Sequence, residues 1–219
     1  GGHGGIVGRI REESPATPTV LTFVPARRHT YCSAVNLHQL PGSVMGVRRE
    51  GERIVPVPVQ IKDERGDLLP AAIPKVTIVK EAQQYARDAD PDDRTGEVDI
   101  LARIEKNLRR AALAGFVGEG LAPYGILGLD VDAALRRAVF SGMPVVKVGR
   151  GNAEGFAPRT PPFLSGSNLT STKARLLLMA CLMKFGSLPV AADPGNPTEA
   201  EFAATQARLD QYQVVFDTH

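Results

Sequence analysis

The sequence predicts an α/β protein in which a β-hairpin is followed by a small parallel βαβαβ sheet flanked by helices. Three observations carry this. Between Lys75 and Val148, short β-rich runs alternate with helical stretches in the order strand, helix, strand, helix, strand. That is the pattern of parallel βαβ units, because a parallel neighbour can be reached only by a long crossover. Upstream, two extended runs, Val44–Arg48 and Arg53–Ile61, flank a short loop containing Gly51, which predicts a hairpin. Downstream, Leu169–Lys184 is the strongest helical segment, apolar enough on most faces to be buried.

The remaining elements follow in chain order. Gly1–Gly5, with His3 inside it, lacks the spacing and lysine of a phosphate loop and reads as a flexible stretch. Ile6–Glu13 is expected to contribute to a short helix. Thr19–Val24 is a β-rich run stopped by Pro25, hence a buried strand, and Arg27–Asn36 is polar and irregular. Asp63–Gly66 is a turn, and Pro70–Pro74 links into the later half. Lys75–Val79 is a strand and Asp88–Thr95 an acidic loop. Val98–Ala114 carries Ile100, Leu101, Ile104, Leu108, Ala111 and Ala112 at helical spacing. Ala114–Val117 is a short buried strand. Asp130 is expected to cap a helix through Ala133, Leu135 and Val139, and Gly142 to end it. Pro144–Val148 is the next strand and Gly149–Thr160 a Gly- and Pro-rich loop. Gly186 stops the strong helix, and Thr198 with Glu201 forms a capping box for a last helix reaching about Val214. Open α/β sheets bind ligands beyond the carboxyl ends of their strands. The loops starting at Lys80, Gly118 and Gly149 are therefore expected to gather along one functional rim.

Composition narrows the function. A chain of 219 residues with 43% hydrophobic content can bury a core as one large domain or two small ones. Its 26 Lys and Arg are interspersed with 24 Asp and Glu, so there is no concentrated basic face to favour nucleic acid or a membrane surface. No apolar run approaches the roughly 18 residues of a membrane span. Two cysteines, Cys32 and Cys181, make no disulfide framework and point to a reducing, cytoplasmic setting. Without paired Cys or a His-x-x-x-His spacing, neither a metal nor another cofactor is expected.

Gly166-Ser167-Asn168-Leu169-Thr170-Ser171-Thr172-Lys173-Ala174-Arg175-Leu176-Leu177-Leu178 sets a small-residue turn and a leucine before a lysine–alanine–arginine helix start. The preceding blocks run in a matching order: Thr19–Asn36 with the hairpin, Ile73–Lys80, Ala114–Gly120, Ala133–Gly142 and Pro144–Arg150. In this order and spacing the chain resembles the L-asparaginase/glutaminase family, most closely from Ile73 to Gly186. The resemblance implies that residues 1–68 are the C-terminal remnant of a larger α/β domain, hairpin included, and residues 69–219 a small C-terminal α/β domain. It implies an oligomer with sites between subunits, no cofactor, and hydrolysis of a small amide-type C–N bond. The family nucleophile is a threonine in a threonine-glycine-glycine-threonine turn, supported by a glycine-threonine-aspartate-threonine motif. Neither stands in these residues, so the nucleophile is expected upstream of Gly1 or on a partner chain. The stretch matching the family's relay lysine, Arg27–Ser33, has no lysine, and the turn Glu119–Gly125 has no asparagine. These departures bear on asparagine as the substrate and leave the fold inference intact.

The densest polar cluster beside a strand end is Arg27–Ser33. There Thr30, Tyr31 and Ser33 are candidate donors to substrate, and His29 a candidate acid/base, since imidazole titrates near neutrality. Cys32 is a candidate nucleophile if a neighbouring cation lowers its pKa, and Arg28 a candidate substrate ligand. A surface loop with its arginines in water is the competing reading. Glu119, directly after a strand, either meets substrate or caps the helix that follows. Arg150 and Asn152 border the loop after the third strand with Lys147 and Glu154. The guanidinium fork of Arg150 suits a carboxylate, or else an interface salt bridge. The alternative to an amidohydrolase is a non-catalytic ligand-binding or structural subunit that kept the fold.

Overall fold

In the computed structural model of the chain, the described residues are 8–12, 21–25, 39–81, 95–121, 125–150, 157, 159–167 and 169–218. Strands β1 (Gly8–Glu12) and β2 (Leu21–Pro25) form an antiparallel pair, and β3 (Ser43–Glu50) and β4 (Arg53–Gln60) form the hairpin. A single 3-10 turn, Pro70–Ala72, leads into β5 (Lys75–Lys80), α1 (Thr95–Arg110), β6 (Ala114–Gly120), α2 (Leu129–Phe140), β7 (Val145–Gly149), β8 (Leu164–Ser165), α3 (Ser171–Phe185) and α4 (Glu199–Thr218). The sheet order is β5-β6-β7-β8 with every pair parallel. The fold is α/β, with the antiparallel hairpin beside a parallel sheet.

Strand β6 lies in the middle, and its sequence shows why. Every residue from Ala114 to Gly118 is buried, so the strand reads as a continuous small and apolar run rather than an alternating one. A Cβ added at Gly115 would lie 3.1 Å from Leu178 of α3, and one at Gly118 would lie 3.0 Å from Leu127 and 3.3 Å from Leu135 of α2. Successive side chains point to opposite faces, so α3 covers the odd-numbered face and α2 the even-numbered one. Helix α1 packs beside α2 and buries Ile100, Ile104 and Leu108 in the same core as Phe116, Leu135, Val146 and Leu178. Each such side chain contributes roughly 1.5–3 kcal/mol when fully buried.

The hairpin docks on the end of the sheet where the strands begin. The Val47 N–H donates to Ala112 O at 2.8 Å, and the Ser187 N–H donates to Met45 O at 2.8 Å. This close approach requires glycine at 46, where a Cβ would sit 2.5 Å from Ala112 O. Gly186 ends α3 at φ +81 against the same strand. Pro56 and Pro58 of β4 cannot donate, so the outer edge of the hairpin is a poor template for a further strand.

Helix ends follow local chemistry. Helix α2 closes in a Schellman turn: Gly142, at φ +92, donates to Val139 O at 3.0 Å, and Met143 donates to Ala138 O at 3.0 Å. Its N-cap, however, is Gly128 rather than Asp130, because the Glu81 carboxylate accepts the Gly128 N–H at 2.6 Å. Asp130 lies in the first turn, where a negative charge still favours the helix dipole. The Thr170 hydroxyl caps α3 by accepting the Lys173 N–H at 3.2 Å. In the capping box of α4, Glu201 accepts from Thr198 N–H at 2.8 Å and from Ala192 N–H at 2.7 Å. That helix runs four residues past Val214, burying Leu209, Tyr212, Val215 and Phe216. Gln213 treats the edge strand β8 as a neighbouring strand would: its amide accepts from Ser165 N–H at 2.9 Å and donates to Ser165 O at 3.2 Å.

Two further sequence expectations are overturned. Gly8–Glu12 is a strand and not part of a helix. A segment this short cannot hold an isolated helix, whereas Leu21–Pro25 offers it a full antiparallel ladder. Helix α3 is not buried on most faces: Ala174, Leu178, Cys181 and Leu182 are buried, but Leu176 is 62% exposed. The helix forms an outer layer on one face of the sheet, so only its inward stripe is covered. Among the described residues, no helix is long and apolar enough to cross a membrane.

Gly46→Ala should destabilise the fold by about 1–3 kcal/mol through the clash with Ala112 O, read from urea unfolding midpoints at unchanged slope. The N–H groups of Ala192 and Thr198, and then the Thr198 hydroxyl, hold the Glu201 carboxyl below the usual carboxylate range. A depressed folded-state pKa gives stability that is present above the ordinary glutamate value of about 4.3 and is lost as pH falls through the folded value. The melting-temperature gap between the parent chain and Glu201→Gln should therefore close on acidification from about pH 6 to about pH 3.

Candidate functional site

The register of β5, β6 and β7 brings their carboxyl ends level. Lys80 pairs with Glu119, Glu119 with Val148, and Gly120 with Gly149. The ladder then extends one step beyond: Glu81 N–H donates to Glu119 O at 2.9 Å, and Arg150 N–H donates to Gly120 O at 2.9 Å. Directly paired residues in a parallel sheet point to one face, so Lys80 and Glu119 share a face, and Arg150, two residues past Val148, returns to it. Glu119 Oε1 lies 3.9 Å from Lys80 Nζ and 3.7 Å from Arg150 Nε. The carboxylate is only 13% exposed, while the Lys80 and Arg150 side chains are 65% and 46% exposed. The arrangement is a sheltered anion between two accessible cations. Both ion contacts are longer than hydrogen bonds, so either cation can turn to another anion without first breaking a strong bond to Glu119.

The backbone of the rim is held from below. The Arg150 guanidinium donates to the Glu81 carbonyl, and the buried Glu81 side chain caps α2 through Gly128. Thus Glu81, not Glu119, serves the following helix, leaving Glu119 facing Lys80 and Arg150. On the opposite face, Lys147 donates to Asp132 at 3.1 Å and stands 5.0 Å from the centre of the Phe163 ring. Arg136 approaches the same ring at 5.6 Å and the same carboxylate at 3.8 Å. This second cluster joins α2, β7 and the approach to β8. Lys147 is largely desolvated, so Asp132 and the ring compensate its charge.

The residues expected from the sequence fall into two groups. Arg28, His29, Thr30, Tyr31, Cys32, Ser33 and Asn152 lie outside the described residues. Glu119 and Arg150, predicted on separate loops, are brought together. Lys80 and Glu81 carry no local sequence signal of a site, although the loop beginning at Lys80 is one of the three expected on the rim. Their signal was positional, because Lys80 ends the strand that pairs with β6. Cys181 is buried, burial pushes its thiol pKa up, and it serves packing. Among the described residues, no cluster of His, Cys, Asp and Glu could hold a metal ion.

No protein-family model and no curated protein sequence matches the chain. Among solved structures, it is similar to a probable cytoplasmic L-asparaginase from Campylobacter jejuni, at 22% identity and a TM-score of 0.45. The likeness covers 67% of this chain and 36% of that one.

Asp132→Asn should destabilise the protein by about 1–3 kcal/mol, because it leaves Lys147 without its counter-charge in a largely desolvated place. Glu119→Gln should change stability by no more than about 1 kcal/mol, since both of its cations remain in water. Chemical denaturation of the two variants side by side checks the contrast.

Proposed function

We propose that the chain is an asparaginase-like amidohydrolase, or one chain of such an enzyme, that hydrolyses a small amide-type C–N bond. The observation that carries this reading is the rim: Glu119 sheltered between Lys80 and Arg150, at the carboxyl ends of three parallel strands. The order of sequence blocks that resembles the asparaginase family supports it. In this reading Arg150 and Lys80 take the carboxylate of a small substrate, and Glu119 takes its amine. The nucleophile comes from residues other than those of the rim, with the Arg27–Ser33 stretch contributing donors and a proton acceptor. It attacks the amide carbonyl, the C–N bond breaks as the leaving nitrogen is protonated, and water releases the acyl group. Ile126, in the loop after β6, and Leu129, the first residue of α2, are both exposed and are where a second copy would complete the site.

Rim charges that already compensate one another also suit a subunit that binds a ligand without turning it over. The two readings part in one assay, ammonia release from a panel of small carboxylate-bearing amides. The enzyme reading expects turnover, with kcat/KM reduced about tenfold or more in Glu119→Gln and in Arg150→Met, each lost charged contact being worth about that factor. Saturable ligand binding with no ammonia would replace it with the binding reading. Turnover indifferent to both substitutions would remove the rim from the chemistry.

A further inference from the structure

We propose that Glu81 is a positioning residue of the rim: it holds the Arg150 guanidinium off Glu119, so that both charges stay available to a ligand. The inference rests on the reading of the rim as a substrate site, and adds the device that keeps that site open. An arginine beside a carboxylate commonly closes into a bidentate pair, because two parallel N–H donors match two carboxylate oxygens. Here the pair stays open. Glu119 Oε1 stands 3.7 Å from Arg150 Nε, beyond hydrogen-bond reach. Another nitrogen of the same guanidinium donates instead to the Glu81 carbonyl.

That carbonyl is kept in place by the rest of its residue. The Glu81 N–H donates to Glu119 O at 2.9 Å and ties Glu81 to β6. The buried Glu81 carboxylate accepts the Gly128 N–H at 2.6 Å and ties it to the N-terminus of α2. With its N–H and its side chain both held, the Cα of Glu81 cannot shift, and its carbonyl stays within reach of Arg150. The backbone of Arg150 is fixed as well, since its N–H donates to Gly120 O at 2.9 Å. The guanidinium therefore swings on a fixed base between a neutral carbonyl and a carboxylate. A charged acceptor makes the stronger bond, so the open arrangement depends on the carbonyl being held where it is. Released from α2, Glu81 would let Arg150 close on Glu119, and the two charges would cancel.

The test compares the intact chain with Glu81→Ala and Glu81→Gln. Glutamine keeps an oxygen for the Gly128 N–H, and alanine has none. The first readout needs no ligand: the Arg150 Nε–H signal in heteronuclear NMR, assigned by its loss in Arg150→Lys. It should move downfield in Glu81→Ala as the ion pair closes, stay at the parent position in Glu81→Gln, and return when Glu119→Gln is added to Glu81→Ala. The second readout is titration with succinamate, a carboxylate-bearing amide without an amine. Its affinity should fall about tenfold in Glu81→Ala, the worth of one charged contact, and stay within about twofold of the parent in Glu81→Gln. Affinity should recover in the double variant, where Glu119 no longer competes for Arg150. Glu201→Ala, which removes the carboxylate cap of α4, should lower the melting temperature without moving either readout, and so separates positioning from lost stability. An unmoved Arg150 signal in Glu81→Ala, equal effects of alanine and glutamine, or a signal that does not return in the double variant would each overturn the proposal. If the parent binds no succinamate while the Arg150 signal moves as expected, the positioning stands and the substrate reading of the rim falls.

Discussion

Strand β6 has helices on both faces and a strand on each side. Its peptide groups have no access to water, so they are satisfied only when β5 and β7 stand in one register against it. A slip by one residue would turn Phe116 away from α2 and put Glu119 on the wrong face. The same constraint sets the carboxyl ends of the strands level, and that levelling brings Lys80, Glu119 and Arg150 together. The rim is thus a consequence of core burial, and its charges occupy the first positions where the strand emerges from between the layers.

The two ends of the sheet are finished differently. At the carboxyl end, buried Glu81 ties the end of β5 to the N-terminus of α2 and supports Arg150 from beneath. At the other end, β3 is held by backbone bonds to Ala112 and Ser187, an approach that only glycine at 46 permits. That docking leaves the arginine-lined cleft between the hairpin and the body. The free edge of β8 is closed by the Gln213 side chain, which fills both bonding positions of Ser165. In each case a polar group that would be left orphaned by packing is met by a partner far away in sequence.

Much of the architecture was legible in the order of residues. The strand–helix alternation from Lys75 to Val148, the hairpin about Gly51, the Gly142 stop and the Thr198–Glu201 box all rest on interactions within a few residues, and all are present. The site was legible in part: Glu119 stands at the end of a strand run and Arg150 directly after one. Lys80 escaped notice because a lysine closing a strand is ordinary until its neighbour in the sheet is known. Glu81 escaped because the N–H it caps belongs to Gly128, 47 positions on.

What the sequence determined by itself is the set of elements and the ends they carry, since propensity, capping and turn chemistry act over one or two turns of chain. What only the tertiary structure decided is which of those elements become neighbours. Gly8–Glu12 is a strand because β2 lies beside it, Leu176 is exposed because α3 is an outer layer, and Glu119 faces two cations because parallel register aligns three strand ends. These outcomes depend on the satisfaction of buried backbone groups across long separations, a condition that no local stretch of residues contains.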